Sequence, residues 1–318
     1  MPSGAGRGWA PACRARQFVV RLGREKPPAP TNTTLGQLEY ALVSPFAVSG
    51  INLRLNALFG NDANGVSYVR SLLHVTAADL KFTDAENGQK KAVFDVLAMS
   101  FGDNGQSVDQ LGKSYTVTVK AEAYKRMMAD GFVYHFNFPA KKPGAYQYRV
   151  AIRDSQGGRI GSASQFIEVP DLKKKRLTVS SVVLENLSEA AWRNASAATP
   201  TPYESNSMTD TALRRVKLGS ILRYGFEVYN ARFDATKQPK LSARIRVFSE
   251  GKIVLDGKRF PVELLGQTDL AHIKVTRAIS LGSKMTSGDY ILQIIVTDEA
   301  DPKKTKVATQ VVQFEVVR

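Results

Sequence analysis

Three histidines, one cysteine and two Asp/Asn/Gly clusters are this sequence's candidates for catalysis or metal binding. His74, His135 and His272 stand far apart, and none has a second His or Cys at ligand spacing. A zinc site usually shows such close ligand pairs. His74 and His135 fall inside strand-like runs, where a histidine packs or faces water. Cys13 is the single cysteine, so no internal disulfide can form. No Ser lies in Gly-x-Ser-x-Gly, and nucleophilic catalysis has no visible candidate. Asn61-Asp62-Ala63-Asn64-Gly65 and Gly102-Asp103-Asn104-Gly105 resemble pieces of calcium loops. Neither has the full ligand spacing or a closing bidentate acid, and the same residue types build tight turns. The chain also has no Gly-rich phosphate loop. The expectation is therefore a protein with no catalytic residues, no metal site and no cofactor, which works through its surfaces.

The elements that would position such surfaces are read from an internal repeat. Pro143-Gly144-Ala145-Tyr146-Gln147-Tyr148-Arg149-Val150-Ala151-Ile152-Arg153-Asp154 is closed by Gln165-Phe166-Ile167-Glu168-Val169. The second copy, Ser287-Gly288-Asp289-Tyr290-Ile291-Leu292-Gln293-Ile294-Ile295-Val296-Thr297-Asp298, is closed by Gln313-Phe314-Glu315-Val316. In both, the Tyr lies two residues after the Gly and the Asp ten after it. Alternation at Tyr146, Tyr148, Val150 and Ile152 has the period of a half-buried strand. Each copy reads as the last hairpin of a β-sandwich, with Gly144, Gly288, Phe166 and Phe314 as structural residues. In immunoglobulin domains a Tyr near the start of strand F lies two residues before a core Cys, and its hydroxyl bonds backbone upstream. Tyr146 and Tyr290 take that place, and Tyr148 and Leu292 stand where the Cys would be. Both tyrosines are expected to be mostly buried and hydrogen-bonded.

The fold class that follows is all-β: two tandem immunoglobulin-like antiparallel β-sandwiches with a short N-terminal helix. Residues 1–32 are rich in Gly, Pro, Ala and Arg and read as a disordered tail. Residues 33–47 hold the helix and a linker. Thr34-Leu35-Gly36-Gln37 matches a capping box, and the helix should end before Pro45. The first sandwich spans 48–170. Asn64-Gly65, Asn87-Gly88 and Asn104-Gly105 separate strand-like runs at Val66–Thr76, Gln89–Phe101 and Tyr115–Ala121, which with Ile51–Leu55, Phe132–Phe136 and the final hairpin make about seven strands. Residues 121–130, followed by Gly131, read as one helical crossover. Residues 171–176 are a charged linker, and 177–318 the second sandwich. Within it, 186–215 has little strand periodicity and reads as a long mobile insertion carrying Trp192.

The chain has 318 residues, 43% hydrophobic, enough for two cores. Its net charge is +15, divided as +5 over residues 1–32, +2 over 33–170 and +8 over 171–318. Such a balance invites a nucleic-acid reading. The basic residues are interspersed with acids, however, and no nucleic-acid motif occurs. No run approaches the roughly 18 apolar residues of a membrane span. Phe18-Val19-Val20 is shorter than the roughly 7–15 apolar residues of an export signal.

From about Leu35 onward the chain resembles the C-terminal region of the von Willebrand factor A-related proteins of acidobacteria. The blocks that carry this include Leu42-Val43-Ser44-Pro45-Phe46, Ser71-Leu72-Leu73-His74-Val75, Ala92-Val93-Phe94-Asp95-Val96 and Phe101-Gly102-Asp103-Asn104-Gly105. Lys141-Lys142-Pro143-Gly144-Ala145-Tyr146, Gly161-Ser162-Ala163-Ser164-Gln165-Phe166, Tyr224-Gly225-Phe226 and Tyr229-Asn230-Ala231-Arg232 continue it. The resemblance implies an exported protein, periplasmic, in the cell envelope or secreted. Family members carry an A domain that binds a divalent metal through Asp-x-Ser-x-Ser. That motif does not occur here, so no functional residue is carried over. A fragment, a mis-started gene and a shortened paralogue remain open. The expected function is a non-enzymatic scaffold or protein-interaction module. The alternative is a cytoplasmic binding protein whose basic second domain contacts an acidic partner or nucleic acid.

Overall fold

The computed structural model describes residues 32–197, 208–282, 285–301 and 305–318. The tail 1–31, with Cys13, lies outside them. Helix α1 (Thr34–Val43) is capped by Thr33, whose hydroxyl accepts from Gly36 N at 3.2 Å. The cap is thus one residue earlier than the capping box placed it. Ser44 closes the helix ahead of Pro45.

The first sandwich contains β1 (Leu53–Asn61), β2 (Ser67–Val75), β3 (Thr83–Asp84), β4 (Lys90–Phe101) and β5 (Ser107–Val119). Helix α2 (Ala121–Asp130) then crosses over to β6 (Phe132–Pro139), β7 (Gly144–Asp154) and β8 (Ile160–Val169). One sheet has the order β1-β2-β6. The other runs β3-β4-β7-β8, with β5 also on β4. Every pairing is antiparallel. Phe94, Val96, Tyr148, Val150 and Ile152 meet Leu73 and Phe138 in the core. On the outer face of the larger sheet, Leu38, Ala41 and Leu42 of α1 cover Leu97, Met99, Phe101 and Ala151. That is why the end of β4 is buried on both faces. Gly161 lets the chain after α1 pass close by: a Cβ there would lie 2.0 Å from Ile51 O.

The second sandwich contains β9 (Thr178–Val179), β10 (Val183–Leu187), helices α3 (Glu189–Ala197) and α4 (Met208–Leu213), and β11 (Arg215–Lys217). It continues with β12 (Ile221–Tyr229), β13 (Leu241–Ser249), β14 (Lys252–Asp256), β15 (Phe260–Pro261) and β16 (His272–Ser280). The final hairpin is β17 (Gly288–Asp298) and β18 (Lys306–Val317). One sheet is β10-β12-β16 with β9 on β12; the other is β11-β18-β17-β13-β14 with β15 on β13. The short pair β11–β18 is parallel, unlike the other pairings among the described strands. Leu222, Phe226, Ile273, Leu292, Ile294 and Phe314 fill this core. Each contributes about 1.5–3 kcal/mol by leaving water.

Two readings change here. Of the segment 186–215, residues 186–187 belong to β10, 189–197 and 208–213 are helical, and 215 opens β11. Residues 198–207 lie outside the described set. These stretches lack the strand spacing of two because they are helical, and Ala212 of α4 is buried. The linker 171–176 is also held. Asp171 caps a short turn through Lys173 N at 3.1 Å, and Asn230 Nδ2 donates to Leu172 O at 3.0 Å and Arg176 O at 3.2 Å.

The repeat has a slip in its closing strands. Tyr146 pairs with Ile167, whereas Tyr290 pairs with Phe314. Phe166 therefore corresponds to Gln313 and not to Phe314. A one-residue slip moves a side chain to the other face, so Phe166 is 68% exposed while Phe314 is 2% exposed. Phe166 is not a core residue. Both tyrosine hydroxyls donate to the carbonyl four residues upstream, Tyr146 to Lys142 O at 2.9 Å and Tyr290 to Thr286 O at 2.8 Å. Tyr290 is buried. Tyr146 is only half-buried, because its ring lies at the rim of the sheet beside exposed Lys141 and Lys142.

Candidate interaction cleft between the sandwiches

Strand β1 is the edge of its sheet, and an uncovered edge leaves backbone groups unpaired. Here three alternate residues on the side away from β2 are each satisfied by a different partner. Ala57 N donates to Gln165 Oε1 at 2.9 Å, and Gln165 Nε2 returns a bond to Ala57 O at 3.0 Å. Phe59 N donates to Ser181 Oγ at 2.8 Å, while Ser181 N reaches Phe59 O at 3.3 Å. Asn61 N donates to Tyr229 Oη at 3.2 Å. Ser181 and Tyr229 come from the second sandwich, so the edge of the first is closed by the second. The Tyr229 ring packs edge-on to Phe59 with centroids 6.1 Å apart, and its hydroxyl donates to Glu227 Oε2 at 2.8 Å. Burial, and then the Glu227 carboxylate, push that hydroxyl well above its ordinary range.

His272 joins the same contact. Its Nδ1 lies 2.8 Å from Asp269 Oδ2 and its Nε2 2.9 Å from Asn61 Oδ1. Partial burial would raise the Asp269 carboxyl; the hydrogen bond and field of His272 outweigh it and hold the group below its usual range. A second contact is made by α4. Ala212 packs on Leu58 and Leu72, and Asn56 Nδ2 donates to Thr211 O at 3.2 Å. Arg214 then donates to Asn56 Oδ1 from Nε at 3.1 Å and from Nη2 at 2.5 Å. Burial lowers the pKa of this guanidinium.

Above the closed edge lies a cleft of about 710 Å3, walled by β8 on one side and β18 on the other. Glu315 N donates to Arg214 O at 2.9 Å. By the two-residue alternation of a strand, Gln313, Val311 and Thr309 direct their backbone groups to the same side. Among the described residues no strand pairs there. On β8, Ser162 N reaches Val48 O at 2.8 Å, so Phe166 and Glu168 present their backbone groups to the open side likewise. Phe166 and Val311 line the cleft with Lys174, Arg176 and Arg214, against Glu168 and Asp171. Lys174 is 3.6 Å from Asp171. Open strand edges flanked by apolar and cationic side chains can hold an extended chain by strand addition.

The residues singled out from sequence are distributed over the fold. Tyr146 with Gly144, and Tyr290 with Gly288, sit at the starts of the two final hairpins. His74 Nε2 lies 2.8 Å from Asp130 O and ties β2 to α2. His135 is exposed. Asp62 Oδ1 accepts from Asn64 N at 2.9 Å and Val66 N at 2.8 Å, and Asn104 Oδ1 from Gln106 N at 3.0 Å. Both loops thus spend side-chain oxygens on their own backbones. Only Phe166 of the structural set, and His272 of the histidines, lie at the junction. Asn56, Gln165, Ser181, Arg214 and Tyr229 carry no sequence signal, since their partners are 108 to 168 residues away.

No family model matches the chain, and no curated protein matches it. Among solved structures it is similar to Escherichia coli alpha-2-macroglobulin activated by porcine elastase, at 10% identity and a TM-score of 0.25. The match covers 84% of this chain and 23% of that one, so the chain spans about a quarter of its length. At that score the similarity carries no argument about this chain.

Proposed function

We propose that this chain is a non-enzymatic scaffold or protein-interaction module, whose cleft receives an extended segment of a partner protein. The observation that supports it is the placing of two open strand edges, β8 and β18, across one cleft. The floor of that cleft is fixed by the β1 contacts to Gln165, Ser181 and Tyr229. The resemblance to von Willebrand factor A-related proteins would put this module at or beyond the bacterial inner membrane. Among the described residues, no helix is long and apolar enough to cross a membrane. The test is an array of extended peptides probed with the full chain. Retained peptides should lose binding to Thr309→Pro, which removes one N–H from the open edge of β18, and to Phe166→Asp. If no peptide is retained, or if retention is indifferent to both substitutions, the proposal fails.

A second reading rests on charge. The second sandwich with its linker carries +8, which would suit an acidic partner or nucleic acid. Duplex DNA binding that weakens steeply with salt, and survives Thr309→Pro, would favour that reading.

A further inference from the structure

Strand β11 lies parallel to β18, with Arg215 opposite Glu315 and Lys217 opposite Val317. It covers that edge of β18 only near its end. Ahead of it, Thr309, Val311 and Gln313 turn their backbone groups to the cleft, on the side from which Glu315 N donates to Arg214 O. The line of β11 begins where Arg214, in the left-handed region at φ of +53°, turns the chain out of α4. Helix α4 leaves that line to pack Ala212 on Leu58 and Leu72. An extended segment added to the open edge of β18 therefore lies in line with β11 and has one end at Arg214. Running parallel to β18, as β11 does, it would bring its C-terminus there. Running antiparallel, it would bring its N-terminus.

Charge decides between the two directions. Arg214 lines the cleft. Its Nε and Nη2 donate to Asn56 Oδ1, a neutral acceptor, and Nη1 makes no hydrogen bond among the described residues. Glu315, the acid next to it across the ladder, is engaged by Arg215 at 3.0 Å. Within the cleft, Asp171 is 3.6 Å from Lys174. Burial lowers the pKa of the Arg214 guanidinium, and no carboxylate acts against that. A part-buried charge with no counter-charge is costly. A carboxylate at the end of the added segment would supply one, whereas a terminal ammonium would be repelled.

We propose that the cleft takes the free C-terminus of a partner protein, added as a strand parallel to β18, with its terminal carboxylate on the Arg214 guanidinium. Thr309, Val311 and Gln313 supply the main-chain hydrogen bonds of strand addition. Nη1 of Arg214 supplies a charge-assisted bond to the carboxylate. A partner chain that continued straight past the site would not fit this seat, because β11 occupies the line beyond Arg214. This deepens the interaction-module reading and rests on it: it fixes the direction of the bound segment and the chemistry of its end.

The test uses the full chain and a soluble library of extended peptides of about eight residues with alternating apolar positions. Each is made as the free acid, as the C-terminal amide and as the N-acetylated acid. Amidation should weaken binding by roughly tenfold or more, the scale of a lost hydrogen bond to a charged group. N-acetylation should leave it unchanged. Arg214→Gln should remove the difference between acid and amide, and its unfolding midpoint reports whether the variant folds, since Arg214 also holds Asn56. Photo-cross-linking reads the direction with no substitution in the chain. A reactive side chain at the last peptide residue should label the junction of α4 and β11, and one at the first residue the start of β18. The inference is overturned if acid and amide bind the parent chain equally, if the preference for the acid persists in folded Arg214→Gln, or if the labelling runs the other way. Any of these results with peptides still bound in the cleft would leave the interaction-module reading standing. Binding of no peptide in any form would remove that reading as well.

Discussion

The hydroxyl of Tyr148 lies 2.8 Å from Oγ of Ser71, joining the two sheets of the first sandwich through its centre. Tyr148 stands where an immunoglobulin domain places a core Cys. A buried hydrogen bond thus occupies the place of an inter-sheet covalent link. Burial drives the Tyr148 hydroxyl far above its ordinary pKa, against the opposing effect of Ser71, so it stays protonated. The second sandwich has Leu292 at this place, fully buried.

Tyr148→Phe should destabilise the first sandwich by about 1–3 kcal/mol, because it leaves the Ser71 hydroxyl buried and unpaired. Adding Ser71→Ala should recover part of that loss, since neither partner is then orphaned. Urea unfolding of the single and double variants measures both. Equal stability of Tyr148→Phe and the parent would contradict the assignment.

The two repeat tyrosines should respond unequally. Tyr290 Oη donates to Thr286 O at 2.8 Å and accepts from Thr286 N at 3.1 Å, in a buried setting. Tyr290→Phe should cost about 1–2 kcal/mol. Tyr146→Phe should cost less, about 0.5 kcal/mol, since water can replace a hydroxyl at the rim. Thermal midpoints of the two variants, compared directly, decide the order.

Separation of the sandwiches should follow loss of Asn56. Asn56→Ala removes the acceptor of Arg214 and the donor to Thr211 O, leaving a part-buried guanidinium unsatisfied. The expected cost is about 1–3 kcal/mol, with faster amide exchange across α4. Exchange confined to its parent rate would count against α4 as a clamp.

Acid should loosen the other contact. Asp269 titrates below its usual range when folded, so it contributes stability above a pH of about 4 that is lost as pH falls through the folded value. Asp269→Asn should lower stability slightly above that pH, as the carboxylate is exposed, and flatten the acid limb of the stability profile by the same small amount. A parallel acid limb in both proteins would refute it.

Gly161→Ala tests the crossing of the chain that follows α1. Its Cβ would lie 2.0 Å from Ile51 O, backbone that cannot swing aside. A cost of about 1–3 kcal/mol is expected. Gly65→Ala, in an open turn with φ of +77°, should cost less, about 1 kcal/mol of backbone strain, and serves as the comparison in the same unfolding assay.

Alternation with period two and turn dipeptides are local properties, so most of the longer strands, the two final hairpins and the crossover helix could be read along the chain, while short strands such as β3, β11 and β15 could not. The sequence by itself also determined that Tyr146 and Tyr290 reach back to backbone, since their partners lie only four residues away. It misjudged Phe166, because register depends on which cross-strand partner each residue meets, and the Gln-Phe doublet is common to both copies while the pairing is not. Within 186–215 the helical stretches were not legible, since helix α4 takes its burial from Leu58 and Leu72, more than 130 positions earlier in the chain. The cleft was decided only by tertiary structure. Gln165, Ser181 and Tyr229 are ordinary residues until folding brings them to the edge of β1.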